Sequence, residues 1–99
     1  MGKLTILYWR DIPGEVIASA GRTRAKRELS ERFTRAIDAA AMRARASSAD
    51  DYLAQWRRGE PIACGDDLEA EASAAAARIE AEYDTHRLAQ LAKHDGRET

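Results

Sequence analysis

The residues best equipped for chemistry stand near the start of the chain, in Tyr8-Trp9-Arg10-Asp11-Ile12-Pro13. An aromatic ring, a guanidinium and a carboxylate come together there, on a loop expected between two rigid strands. Binding groups commonly sit in such a place. The plainer alternative pairs Arg10 with Asp11, or lets them cap the turn, and leaves Trp9 in the core. A second stretch, Arg22-Thr23-Arg24-Ala25-Lys26-Arg27, sets four cations in six residues with no acid before Glu28. Arginine predominates over lysine, which suits bidentate contact with phosphate or carboxylate. The candidate contact residues are therefore Tyr8, Trp9, Arg10, Asp11 and Pro13, with Arg22, Arg24, Lys26 and Arg27.

Other chemistry is poorly served. Cys64 lies just before an expected helix start, where the dipole would favour a thiolate, but Asp66 and Asp67 oppose one. His86 and His94 stand eight apart without a third soft ligand nearby, so no metal and no cofactor is expected. The chain has neither a Gly-rich phosphate loop nor a nucleophile elbow. Its carboxylates are spaced as solvated helix faces. These readings point away from an enzyme and towards a binding module.

Composition sets the frame. Ninety-nine residues suit one domain, expected over 1–95 with a frayed tail at 96–99. Apolar residues make up 44%, but 21 residues are alanine, so large core formers are few. Residues 1–58 hold 12 Lys/Arg against 7 Asp/Glu, and residues 59–99 hold 4 against 10. Either a basic face awaits an anionic partner, or an acidic C-terminal helix lies across the basic half and neutralises it. Nucleic acid is the weaker reading, because the net charge is −1 and no recognised nucleic-acid-binding signature is present. A single cysteine, the lack of a visible secretory signal and the lack of a long apolar run suit a cytoplasmic protein with no membrane contact.

These residues need elements to position them. Lys3–Trp9 reads as a strand with two apolar faces, and Glu15–Ala20 as its antiparallel partner across a Pro13-Gly14 turn. Arg22–Arg27 reads as a loop or as the first turns of a helix, and a loop or separate turn is favoured because cations oppose the dipole at a helix start. Ser30–Arg45 carries a clear helical stripe through Phe33, Ala36, Ile37, Ala40, Ala41 and Ala44, with Ser30 as its cap. A short helix over Ala49–Arg58 follows the Ser47-Ser48 break, and Pro61–Cys64 is extended and could add an edge strand. A long helix starting at about Asp67 either bends near Asp84-Thr85-His86 or hands over to a separate last turn; if continuous to Lys93 it would run roughly 40 Å at 1.5 Å per residue. That overshoots so small a domain, so its far end is expected to meet another subunit in a homo-oligomer. The fold class is α+β: a small antiparallel sheet of two or three strands packed by three helices.

The strings Tyr8-Trp9-Arg10-Asp11-Ile12-Pro13, Gly21-Arg22, Glu31-Arg32-Phe33, Ala36-Ile37-Asp38, Asp51-Tyr52-Leu53 and Trp56-Arg57-Arg58 resemble the bacterial "virulence factor" domain family, typified by conserved virulence factor C. The resemblance covers roughly residues 3–90. It implies an accessory or regulatory role rather than a catalytic one, and it sets the Tyr8–Pro13 string above the other candidates. It also implies an association with folate- and corrinoid-linked one-carbon transfer. The expectation is a non-catalytic protein that holds a partner protein through the Trp9–Pro13 loop and the nearby basic residues. A small-anion or cofactor-binding accessory subunit and a nucleic-acid-binding regulator are the alternatives.

Overall fold

In the computed structural model, which describes residues 2–45 and 48–98, the chain is an α+β domain built on an antiparallel sheet. The described residues form five strands and four helices, more than the two or three strands and three helices expected. Strand β1 (Gly2–Trp9) is central. On one side it pairs with β2 (Ile12–Ala20), which pairs in turn with β3 (Thr23–Glu28). On the other side it pairs with β4 (Trp56–Arg58) along Leu7–Trp9 and with β5 (Ile62–Cys64) along Gly2–Leu4.

The first hairpin is tighter than the sequence suggests. Trp9 pairs with Ile12, so the turn is Arg10-Asp11, with Arg10 at a φ of 56°. Pro13 and Gly14, expected to make the turn, lie inside β2. Tyr8 faces Pro13 and Leu7 faces Glu15, leaving Gly14 as the extra residue of a bulge. A bulge tolerates a proline that cannot donate to the ladder. Gly14 is required there for space, because a Cβ would stand 2.8 Å from the Trp56 ring.

The basic stretch is strand β3, not a loop. Ala20 pairs with Thr23 across a Gly21-Arg22 turn, and Gly21 takes a φ of 59°. Period-2 alternation then decides the outcome: Ala25 is buried, while Arg24 and Lys26 point the other way and are exposed.

Helix α1 (Glu31–Arg43) buries Phe33, Ala36, Ile37, Ala40 and Ala41, as the stripe requires. Ser30 holds the N-cap position, but its hydroxyl donates to Glu80 Oε1 at 2.9 Å instead of capping. Helix α2 (Ala49–Ala54) stops four residues earlier than expected, because Trp56–Arg58 joins β1 as β4. Ser48 caps it, accepting from the Asp51 amide at 3.0 Å. Ser47, the other half of the expected break, lies outside the described residues, as does Thr99.

The long C-terminal helix is two helices. Asp67 caps α3 (Leu68–Glu82), and Asp84 caps α4 (Thr85–Lys93) by accepting from the Arg87 amide at 2.8 Å. Helix α4 turns back and packs on α1. The overshoot argument for a homo-oligomer through one 40 Å helix therefore falls. Helix α3 lies on the sheet, its Leu68, Ala72, Ala75 and Ile79 forming one core with Leu4, Val16, Ala18 and Ala25. That core is continuous around the first hairpin through Trp9, Ile12 and Phe33, which are the largest fully buried side chains together with Val16 and Pro13.

Candidate functional site

The two-residue turn of the first hairpin is built into the body of the protein. Trp9 has no exposed surface, and its indole N–H donates to the Tyr52 carbonyl at 2.9 Å. The Arg10 amide donates to the Gln55 carbonyl at 3.1 Å, its Nε to Gln55 Oε1 at 3.1 Å, and its Nη1 to the Asp95 carbonyl at 2.8 Å. Asp11 receives Arg57 Nη2 at 3.1 Å on one oxygen and the Glu98 amide at 2.7 Å on the other. The Asp11 amide in turn donates to the Gly96 carbonyl at 2.8 Å. Arg57 completes the ring of contacts, donating Nε to the Arg10 carbonyl at 2.9 Å and lying 4.6 Å over the Tyr8 ring.

Arg10 and Asp11, both half-buried, thus bond to other elements rather than to one another. They clasp α2 and the C-terminal turn to the hairpin. Gly96–Glu98, expected to fray, are held here, and Arg87 adds a bond from Nη2 to Glu98 at 3.0 Å. Pro13 is buried and Tyr8 half-buried. Of the five hairpin candidates, Trp9 and Pro13 have no surface to offer a partner, and the polar atoms of Arg10 and Asp11 are largely committed.

The basic candidates divide by sheet face. Arg27 points towards α3, donating Nε to Ser73 Oγ at 3.0 Å and pairing with Glu69 at 2.9 Å. That part of the charge split is internal neutralisation. The opposite face is organised in cross-strand rows: Ala63, Lys3, Ser19 and Arg24; then Thr5, Ile17 and Lys26; then Arg58, Leu7, Glu15 and Glu28. Lys3, Arg24, Lys26 and Arg58 are exposed, and among the described residues none is held in an ion pair. Thr5 and Ile17 are buried on this face, Ile17 apart from the main core, and the Leu7, Glu15 and Glu28 end of the face shares a pocket with Thr34 and Ile37 of α1 and Tyr52 of α2. Arg22 is exposed in the adjoining turn. Lys3 and Arg58 escaped sequence reasoning because only the pairing register brings them beside β3.

Two further groups define the chemistry. Cys64 is half-buried, and burial together with the Glu71 and Asp66 carboxylates pushes its thiol up. Burial also pushes the Glu80 carboxyl up, but this is outweighed by hydrogen bonds from the Ser30 amide and hydroxyl and by Arg32, which hold it below the ordinary carboxyl range. Arg32 donates to Glu80 Oε1 at 2.9 Å and to the carbonyls of Glu80 and Tyr83, tying the start of α1 to the end of α3. Among the described residues no group of three or more His, Cys, Asp or Glu is placed to hold a metal ion. Nor is any helix among them long and apolar enough to cross a membrane.

A family model described as virulence factor matches residues 7–92. It spans the Arg10-Asp11 turn, the basic strand and all four helices except the last residue of α4, but not the Asp95–Glu98 end of the clasp. No curated protein and no solved structure gives a match.

Proposed function

The chain belongs to the virulence factor family, and from that premise we propose that it is a non-catalytic accessory domain that docks an acidic partner protein on the open face of its sheet. One observation carries the reading: Lys3, Arg24 and Lys26 stand in adjacent cross-strand rows, exposed and, among the described residues, outside any ion pair, with Glu15 and Glu28 in the next row. Several cations elsewhere in the fold are held in internal ion pairs, as Arg27, Arg32 and Arg57 illustrate. Exposed like charges repel one another, and a complementary surface relieves that cost while steering encounter. Small residues between the cations, Thr5, Ser19 and Ala63, leave the face flat enough for a partner's side chains to lie against it. Arg22 and Arg58 extend the patch at its margins.

The hairpin string enters this reading as support. Tyr8–Pro13 positions β1 and β2, and with them the rows that display Lys3 and Lys26, rather than touching the partner itself. The test is a nuclease-treated pull-down from the native host with wild type and a Lys3→Glu, Arg24→Glu, Lys26→Glu bait of equal thermal stability. A stoichiometric protein lost with the variant supports the proposal. A partner retained by the variant overturns it. Recovery only of a small anion, seen as a ligand-induced rise in melting temperature, would move the reading to an accessory subunit for anionic cofactors such as those of folate or corrinoid chemistry. Binding of random oligonucleotide that falls steeply with salt would move it to nucleic acid.

A further inference from the structure

The sheet has two edges, and they differ. Beyond β1 the edge is cut into two pieces, β4 and β5, each of three residues. Gly59-Glu60-Pro61 separates them, and Pro61 has no amide N–H to offer. An edge broken in this way gives an incoming strand little to pair with. The other edge is β3, whose six residues contain no proline and keep an unbroken register with β2 from Thr23 to Glu28. Among the described residues β2 is its only strand partner.

The register also fixes which backbone groups of β3 face outward. Hydrogen-bonded and non-hydrogen-bonded pairs alternate along an antiparallel ladder. The Leu29 amide donates to the Gly14 carbonyl at 3.3 Å, and the same phase places Arg27, Ala25 and Thr23 in the pairs bonded to β2. Arg24, Lys26 and Glu28 are the alternate residues, and each turns its N–H and C=O to the outside. Among the described residues these backbone groups have no hydrogen-bond partner. The side chains of the same three residues lie on the open face, exposed and outside any ion pair among the described residues.

Backbone and side chains together define what fits. Along β3 the open-face charges run plus, plus, minus at Arg24, Lys26 and Glu28. An antiparallel strand matches them with a cation against Glu28 and acids against Lys26 and Arg24. Its alternate residues fall on the α3 side, where Asp66, Asp67 and Glu69 line a recess of about 340 Å3 with Thr23 and Ala25. Neutral, β-branched residues suit that side, since acids there would meet acids. Charged side chains on an edge turn away strands that do not match them. A second copy matches poorly: the two-fold register of greatest overlap pairs Arg24 with Glu28 but sets Lys26 directly against Lys26.

We propose that β3 takes up an extended segment of the partner protein as a sixth, antiparallel strand, with acids opposite Arg24 and Lys26. This rests on the acidic-partner reading above and supplies its mode. Main-chain hydrogen bonds to Arg24, Lys26 and Glu28 give affinity, and the alternating side chains give selectivity. Lys3, two strands away on β1, is left to meet the body of the partner.

The probe is the end-blocked peptide Lys-Val-Glu-Thr-Glu-Val, titrated into the full chain to millimolar concentration and followed by amide resonances and hydrogen exchange. Binding should saturate and slow exchange at the Arg24, Lys26 and Glu28 amides. The charge-swapped peptide Glu-Val-Lys-Thr-Lys-Val should bind at least about tenfold more weakly. Lys26→Ala and Lys26→Pro lose the same charge, but only proline removes the outward donor, and it does so without breaking the ladder to β2. Lys26→Pro should therefore bind at least about threefold more weakly than Lys26→Ala. Thermal melts check both folds, and if Lys26→Pro does not fold, the exchange pattern of the wild type decides alone. Wild type that shows no saturable binding overturns the proposal. So does binding without slowed exchange at those three amides, a charge-swapped peptide that binds equally well, or a second copy that occupies the edge in sedimentation. Equal capture of the pulled-down partner by Lys26→Pro and Lys26→Ala, with loss on the triple reversal, overturns strand addition alone and leaves the sheet-face reading standing.

Discussion

At the scale of single residues the hairpin is a structural device, and its substitutions should read out as stability. Trp9 is fully enclosed, so Trp9→Ala should cost about 3–5 kcal/mol. Trp9→Phe fills most of the space but leaves the Tyr52 carbonyl without its donor, for a smaller loss of about 1–3 kcal/mol in urea unfolding. Glu80 makes acid stability specific. Its carboxyl is held low in the folded protein, so protonation favours the unfolded chain, and its contribution, present above the ordinary carboxyl range, is lost as pH falls through roughly 4–5 and below. A Glu80→Gln variant should therefore show a flatter loss of stability across that window than wild type. At Cys64 the opposite shift keeps the thiol protonated near neutrality, so alkylation by iodoacetamide should lag behind free cysteine until the pH is distinctly alkaline. The opposition of Asp66 to a thiolate is visible in the sequence. The contribution of Glu71, from inside α3, and the Glu80 clasp to Ser30 and Arg32 are not. Each joins side chains that only the packing of α3 brings together.

At the scale of elements, caps and turns decide where the chain changes direction. Asp84 is what divides α3 from α4, and Asp84→Ala should cost about 1 kcal/mol while loosening α4 from α1. Gly96 sits at a φ of 86° with a hypothetical Cβ only 3.1 Å from the Trp9 ring. Gly96→Ala should accordingly destabilise by about 1–3 kcal/mol, measured by thermal melting, through strain at the turn and against the indole. Long periodic segments were the legible ones: β1 and α1 announce themselves by alternation and by a helical stripe. Strand β3 was hidden because its exposed positions are charged and its one buried residue, Ala25, is small. Strand β4 was hidden because Trp56-Arg57-Arg58 continues a helical pattern locally and becomes extended only by pairing with Leu7–Trp9. The turn was misplaced for a related reason. Pro-Gly is a strong local turn signal, but burial of Ile12 against the core and the bulge at Gly14 moved the reversal three residues earlier.

At the scale of the whole molecule, charge is divided between structure and display. Arg27, Arg32 and Arg57 bind the layers to one another, while Lys3, Arg24 and Lys26 contribute little to the fold. Reversing the latter three should leave the unfolding midpoint within about 0.5 kcal/mol per site of wild type, as for ordinary surface substitutions. The same count of basic residues in the sequence could not separate the two groups, since the division rests on which face each side chain takes. The clasp at Arg10-Asp11 bears on how the molecule is made. Two adjacent strands can zip together as soon as they leave the ribosome, but the positive-φ Arg10 waits for Gln55, and then for Asp95 and Gly96, some 85 residues later. Vectorial synthesis therefore delivers the first-formed turn its last stabilising bonds only when nearly the whole chain has emerged. A nascent chain arrested before residue 95 should keep its first hairpin open to protease, and release of the remaining few residues should close it.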